Sequence, residues 1–375
     1  MSEIHTLYAM PHSLYSGRAR SYLLKAGIPF RELSTGHESF KADVLPQAEL
    51  PTIPTLVTPS GEVIRDGAAI IEYFESKGGR PSQPPGTRQR LVSSFLDVVG
   101  TDGLLRPAMH YRWNFPEENL NFLRYHFLHS QRLSPAREDK TDHMMDRMRH
   151  AGRLFGVEED SVAMIEGLYL EFLDALDAHL ARYPYLLGGR PCLGDFGLIA
   201  PLYAHLGRDP HPSRIMQTRA THVFRWVERM NRADADTPEF FESPLDFLPD
   251  DEIPESLIRV LSVVACDFIP ETRAAAAHIN AWLADAPPEA GTGASGRLGA
   301  AVGQAEFEVR GTAIRALAQP YRFYLLQRLQ DDYDQLSTGE RKSADRLFAA
   351  CDLGELPELR LTRRLERVGN LEAWT

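Results

Sequence analysis

The sequence predicts an α/β domain over residues 1–80, an all-α domain over 88–234 and a mainly helical extension over 235–375. Three observations carry this division. Strand and helix patterns alternate up to residue 80. A Pro- and Gly-rich stretch, Arg80 to Thr87, then has the composition of a linker. Beyond it, apolar residues recur at three- and four-residue spacing, the mark of one helix face after another. A chain of 375 residues is also too long for one compact core.

Taken in order, Ile4 to Met10 reads as a strand and Leu14 to Ala26 as a helix stopped by Gly27 and Pro29. Pro29 to Leu33 fits a short second strand. Thr55 to Val57 and Glu62 to Ile64 flank Thr58-Pro59-Ser60-Gly61, a turn sequence. Asp66 to Ser76 reads as a helix with Ile70, Ile71 and Phe74 on one face. In the second region, Val162, Ile165, Leu168, Tyr169, Phe172, Leu176 and Leu180 mark one helix, and Val223, Trp226, Val227 and Met230 another. Both faces are read as core. A Pro- and Asp-rich crossing, Thr237 to Pro254, opens the third region. Helix is expected after it, then a break at Ala286 to Gly296, then more helix from Thr312.

Composition narrows the function. The chain is 43% hydrophobic and 25% charged, ordinary for a globular protein. It carries 41 Lys and Arg against 52 Asp and Glu, a formal charge of −11, so nucleic acid and anionic membrane are not the expected partners. Cys192, Cys266 and Cys351 form no CxxC pair, which argues against zinc ribbons, Fe–S sites and disulfide frameworks. The start, MSEIHTLYAM, lacks the basic and apolar pattern of a signal peptide, and the cytoplasm is the expected location. Gly291 to Gly296 spells GxGxxG, yet Pro287-Pro288 precedes it where a dinucleotide site needs a strand, so a flexible loop is expected. His126 and His129 lie three apart without further ligands around them, and no metal site is expected. Arg360, Arg363, Arg364 and Arg367 read as a solvated helix face.

Three features of the first region belong together. Pro11 to Arg20 joins the first strand to the first helix, and Ser13 can either cap that helix or donate to an anion held at its positive end. Thr52-Ile53-Pro54-Thr55 enters the third strand, where a proline can be cis and leave neighbouring backbone groups free to pair with a peptide. Arg65-Asp66-Gly67 makes a strand-to-helix turn. Asp66 can bind an ammonium, and the amides after it can bind a carboxylate. An acid beside an anion hole suits the amino-acid end of a zwitterionic peptide.

These residues resemble those of the glutathione S-transferase family, with a thioredoxin-like first domain and a helical second one. The stretch Ser13-Leu14-Tyr15-Ser16-Gly17-Arg18-Ala19-Arg20 is similar to the Ser-x-x-Ser-x-Arg-x-Arg signature of serine-type members. Ile53-Pro54 looks like the family's cis-proline element, and Asp66-Gly67 stands where the family has Glu/Asp-Ser. Gly188 to Asp195 resembles its helix-capping box, with Cys192 in place of the hydroxyl. The third region lies outside the resemblance.

The resemblance implies glutathione as cosubstrate and Ser13 as the catalytic donor to its sulfur. It implies Tyr15, Ile53, Pro54, Asp66 and Gly67 as binding residues, with Tyr15 the runner-up sulfur donor. It also implies a homodimer and a small hydrophobic electrophile held near Met109, Tyr111, Trp113 and Phe115. Tyr8, where other members place a catalytic tyrosine, is expected in the core, and His12 in an exposed loop. The competing expectation is a non-catalytic interaction protein on the same fold. A thiol–disulfide oxidoreductase is disfavoured, since Ser13 and Ser16 replace both cysteines of a CxxC site.

Overall fold

The computed structural model describes residues 4–294 and 301–375. Strands β1 (His5–Tyr8), β2 (Phe30–Leu33), β3 (Thr55–Val57) and β4 (Val63–Arg65) form one sheet in the order β2-β1-β3-β4. β1 and β2 run parallel, joined by helix α1 (Leu14–Lys25); β1–β3 and β3–β4 run antiparallel. Side chains on a strand alternate between faces, and β1 shows it. Leu7 joins the main core with Ala19 and Leu23 of α1 and with Ile70 and Ile71 of α3 (Gly67–Gly78). Tyr8 faces the other side, packed with Phe40 and Ala48, the latter on the short helix α2 (Leu45–Ala48). Its ring lies 5.2 Å from Phe40 and its hydroxyl 2.6 Å from Ser39 Oγ, so Tyr8 is core, as expected.

Eight helices make the second region: α4 (Thr87–Val98), α5 (Leu105–Trp113), α6 (Pro116–Ser130), α7 (Arg137–Leu154), α8 (Val162–Leu180), α9 (Leu193–Ala204), α10 (Pro210–Arg219) and α11 (Thr221–Met230). α9 packs against both α1 and α4, which joins the two regions through one continuous core. At the start of α9 the capping box closes with a thiol: Cys192 accepts from the third-position amide, and Asp195 accepts from Cys192 N at 2.9 Å. Asp195 also accepts from Trp226 Nε1 at 2.9 Å and Leu186 N at 3.2 Å, so this box ties α9 to α11 as well.

The third region is mainly helical, as expected, and adds two hairpins that were not expected. A 31-residue helix, α12 (Glu255–Asp285), packs along α8. Two hairpins follow, β5 (Gln304–Val309) with β6 (Thr312–Leu317), and β7 (Leu365–Val368) with β8 (Leu371–Trp374). Between them lie α13 (Pro320–Asp334) and α14 (Thr338–Ala350). The segment from Thr312 is therefore strand, and helix begins only at Pro320. The arginine run is no helix face either. Arg360 pairs with Asp334, Arg364 with Asp331 and Arg367 with Glu372, while Arg363 donates to Pro288 O. Of the GxGxxG segment, Gly291 to Ala294 line up beside β8: Gly291 N donates to Trp374 O at 2.8 Å and Ala294 N to Glu372 O at 2.7 Å. Ser295 and Gly296 lie outside the described residues. No described helix is long and apolar enough to cross a membrane.

This region grips the α/β domain. β4 is an edge strand, and an edge exposes unpaired backbone groups. The turn between β7 and β8 covers it. Asn370 Oδ1 accepts from Arg65 N at 2.9 Å, and its Nδ2 donates to Val63 O at 3.0 Å and Gln47 O at 2.9 Å. Arg65 answers with a buried pair to Glu372 at 2.8 Å.

Candidate active site

The chain leaves β1, turns at Pro11-His12 and enters α1. Ser13 N donates to Met10 O at 3.0 Å, which closes the turn and puts Ser13 at the N-cap with φ −84° and ψ 121°. An N-cap serine ordinarily spends its hydroxyl on the amides of the first turn. Here it makes no such bond, and among the described residues it has no hydrogen-bond partner. Ser16 is the structural one of the pair: fully buried, its Oγ accepts from Met10 N at 3.4 Å.

The Ile53–Pro54 peptide is cis. Asp66 N donates to Pro54 O at 3.0 Å, and Thr55 Oγ1 to Thr52 O at 2.9 Å, so the entry to β3 is fixed from both sides. Ile53 is half-buried, and among the described residues its own N–H and C=O have no partner.

Asp66 has φ 84°, a left-handed conformation costly for a side-chain-bearing residue and found where function or capping holds it. Its Oδ1 accepts from Ala68 N at 2.6 Å and Ala69 N at 3.4 Å. Two of the amides expected to bind a carboxylate are thus occupied by Asp66 itself, which leaves Gly67 N–H, among the described residues, without a partner at the start of α3. Burial opposes ionisation of Asp66, but Arg65 and a hydrogen bond from Tyr321 hold its carboxyl below the usual range. Gly67 has a second reason to lack a side chain. A Cβ there would come 3.3 Å from Arg18 Cδ. The Arg18 guanidinium runs past it to a buried pair with Asp97 and a 2.9 Å bond to Thr101.

Tyr321 is the residue that sequence reasoning missed. Its hydroxyl donates to Asp66 Oδ2 at 2.6 Å from the first turn of α13. Pro320 marks that helix start in the sequence, but nothing local signals a partner 255 positions away. Tyr15 remains at the rim, 42% exposed, within electrostatic reach of Asp66 and Asp102. Asp66 thus has partners from the first and third regions.

Two further sets of residues are packed against neighbours. Met109, Tyr111, Trp113 and Phe115 do not line one pocket. Met109 packs with Ala151, Val157 and Ile165, with Trp113 against the same cluster and also on Phe127; Tyr111 stacks on Phe115 and meets Tyr169. Met109 and Trp113, four apart, share one side of α5, while Tyr111 faces another; Trp113 and Phe115 are half-buried. His12 is not an exposed loop residue but 7% exposed, its ring 5.6 Å from His126 and 4.8 Å from Phe127.

A mixed sheet with one parallel crossover, a cis-proline entering its third strand and a helical domain packed on α1 defines a thioredoxin-like domain with an all-α partner. Residues 7–82 match the family described as glutathione S-transferase, N-terminal domain. The match covers the first region of the chain only. Solved structures similar to it include a glutathione transferase from Phanerochaete chrysosporium, 16% identical, with 62% of this chain and 98% of that one covered and a TM-score of 0.43. A β-etherase from Sphingobium is 16% identical over 64% of this chain and 99% of that one, with a TM-score of 0.39. A theta-class glutathione S-transferase from Xanthomonas axonopodis, with glutathione bound, is 18% identical over 62% and 94%, with a TM-score of 0.35. No curated protein matches the chain.

Proposed function

We propose that the protein is a glutathione-dependent transferase in which Ser13 stabilises the thiolate of glutathione for attack on a small hydrophobic electrophile. The observation that carries this reading is the Ser13 hydroxyl, positioned at a helix N-terminus and left without a partner. Glutathione lies along the entry to β3, its cysteinyl backbone paired with Ile53 beside Pro54. Its ammonium goes to Asp66, and its γ-glutamyl carboxylate to Gly67 N–H at the positive end of α3. Tyr15 closes the rim.

The energetics suffice. A free thiol titrates near ~8.5, so little is ionised at neutral pH. Lowering that by about two units takes about 2.7 kcal/mol. One hydrogen bond to a charged group contributes about 1.5–3 kcal/mol, and the helix end up to about 1 kcal/mol. Ser13 then needs only to donate a hydrogen bond; no general base is required. A homodimer and a cytoplasmic location belong to the same proposal.

The test is retention of the full chain on immobilised glutathione, with thiol consumption followed across several electrophiles. Ser13→Ala is expected to stay bound and to lose turnover by about 10–100-fold, the worth of one charge-assisted bond. Wild type that neither binds nor consumes thiol contradicts the reading. One observation favours a non-catalytic interaction protein instead: Tyr321 already occupies Asp66 Oδ2. That reading predicts the same negative result together with full folding.

A further inference from the structure

Below the Ser13 turn lies a second group of charges that the transferase reading does not use. Arg20 and Arg112 lie within electrostatic reach of Arg208, and all three lie within reach of His12. Two of the three have carboxylates. Arg20 forms a two-bond pair with Glu32, and Arg112 grips Asp209 through Nε at 2.6 Å and Nη2 at 2.9 Å. Arg208 has none: among the described residues no Asp or Glu pairs with it. Of its two terminal nitrogens, Nη2 donates to His126 Nε2 at 3.1 Å, and Nη1 is buried with no partner among the described residues. Its guanidinium is held between rings, 5.4 Å from Phe122 and 5.5 Å from Tyr203.

A partly buried guanidinium without a carboxylate is costly, and proteins seldom keep one unless something else supplies the negative charge. The cost is visible here: burial pulls Arg208 below the ordinary arginine pKa. The surroundings repeat the signal. His12 Nδ1 and Arg20 Nη1 are also buried nitrogens without partners. His12 stacks on His126, which accepts from Arg208, so these groups are contiguous. Three orphaned nitrogens, one unbalanced positive charge and aromatic walls occur together in one place.

The geometry points to an oxyanion-binding subsite centred on Arg208, with His12 and His126 beside it and Phe122 and Tyr203 as walls, that takes the carboxylate of an aromatic acid. His12 immediately precedes Ser13, so the subsite adjoins the turn where the thiol is placed. Its assignment to the second substrate rests on the transferase reading; the binding itself does not. The electrophile would then be an aromatic molecule bearing a carboxylate, anchored by its charge rather than by an apolar pocket. A planar carboxylate suits the fork of a guanidinium, and stacking on rings suits an aromatic body.

Calorimetric titration of the full chain with benzoate and with the neutral benzamide tests this. Benzoate is expected to bind at least tenfold more tightly, and Arg208→Met to abolish the difference. Arg208→Gln serves as a second variant should the first fail to fold. Equal binding of the two probes to wild type, or a preference that survives loss of Arg208, overturns the subsite. Retention on immobilised glutathione, measured on the same preparations, reports on the transferase reading separately. A benzoate preference in a chain that ignores glutathione keeps the subsite and removes the enzyme.

Discussion

Ser13, Asp66 and His12 show what a single residue's neighbours decide. Ser13 at a helix start reads from sequence as a cap, and only the structure leaves its hydroxyl free. Asp66 reads as cap or ligand and is bound as a cap on one oxygen and to Tyr321 on the other. His12 reads as a loop residue because its loop is short and polar; α6 then covers it. The same burial makes a pH prediction at His179. This residue is enclosed, with Nε2 donating to Leu186 O at 3.0 Å and Nδ1 2.9 Å from Ser256 Oγ. Burial lowers its pKa from 6.5 to about 4. Between those values the unfolded chain binds a proton that the folded chain refuses. Stability is therefore complete above about pH 6.5 and falls as the pH drops toward 4, by about 1.4 kcal/mol per pH unit. Denaturant midpoints at pH 7 and pH 5 check this, and His179→Gln should flatten the slope.

Among the elements, a tight crossing joins the turn after α4 to α9. A Cβ on Gly100 would come 2.0 Å from the Gly197 carbonyl carbon, and one on Gly197 would come 2.5 Å from Asp97 Cα. Both obstacles are backbone and cannot swing aside. Gly197→Ala is expected to cost about 3 kcal/mol or more, read by chemical denaturation; an unchanged midpoint contradicts the packing. Elements with strong periodicity were legible in the sequence. The apolar set from Val162 to Leu180 marks α8 over its full length, and the order β-α-β-(α)-β-β-α was readable from short apolar runs and turn signals. The hairpins of the third region were not. In β6, Ile314 and Ala316 point inward while Ala313 and Arg315 point out, a period of two hidden by alanines that favour helix. The arginines from 360 to 367 mimic a helix face at spacings of three and four. The overlooked sign was Gly369-Asn370, a two-residue hairpin turn.

For the whole molecule, the third region is a clamp rather than an appendage. It seals the β4 edge through Asn370, reaches Asp66 through Tyr321 and joins the helical domain through a buried ionic network. In that network Arg106 meets Asp267 at 2.7 Å and Glu271 at 3.1 Å, while Arg322 meets Glu271 at 2.9 Å, Asp102, and Thr272 at 3.0 Å. Such a network adds little net stability when complete, but breaking it strands charges. Arg322→Met leaves Asp102 and Glu271 short of a partner and should cost about 3–5 kcal/mol in unfolding free energy. The network was not legible beforehand, because its partners lie up to 220 positions apart. The central claim remains the placement of a thiol against Ser13. The most direct measurement is a pH titration of thiolate absorbance for glutathione bound to the full chain and to Ser13→Ala. The account predicts a bound thiol about two units below the free value of ~8.5, returning most of the way in the variant. An unshifted thiol, or the same shift in both proteins, would contradict it.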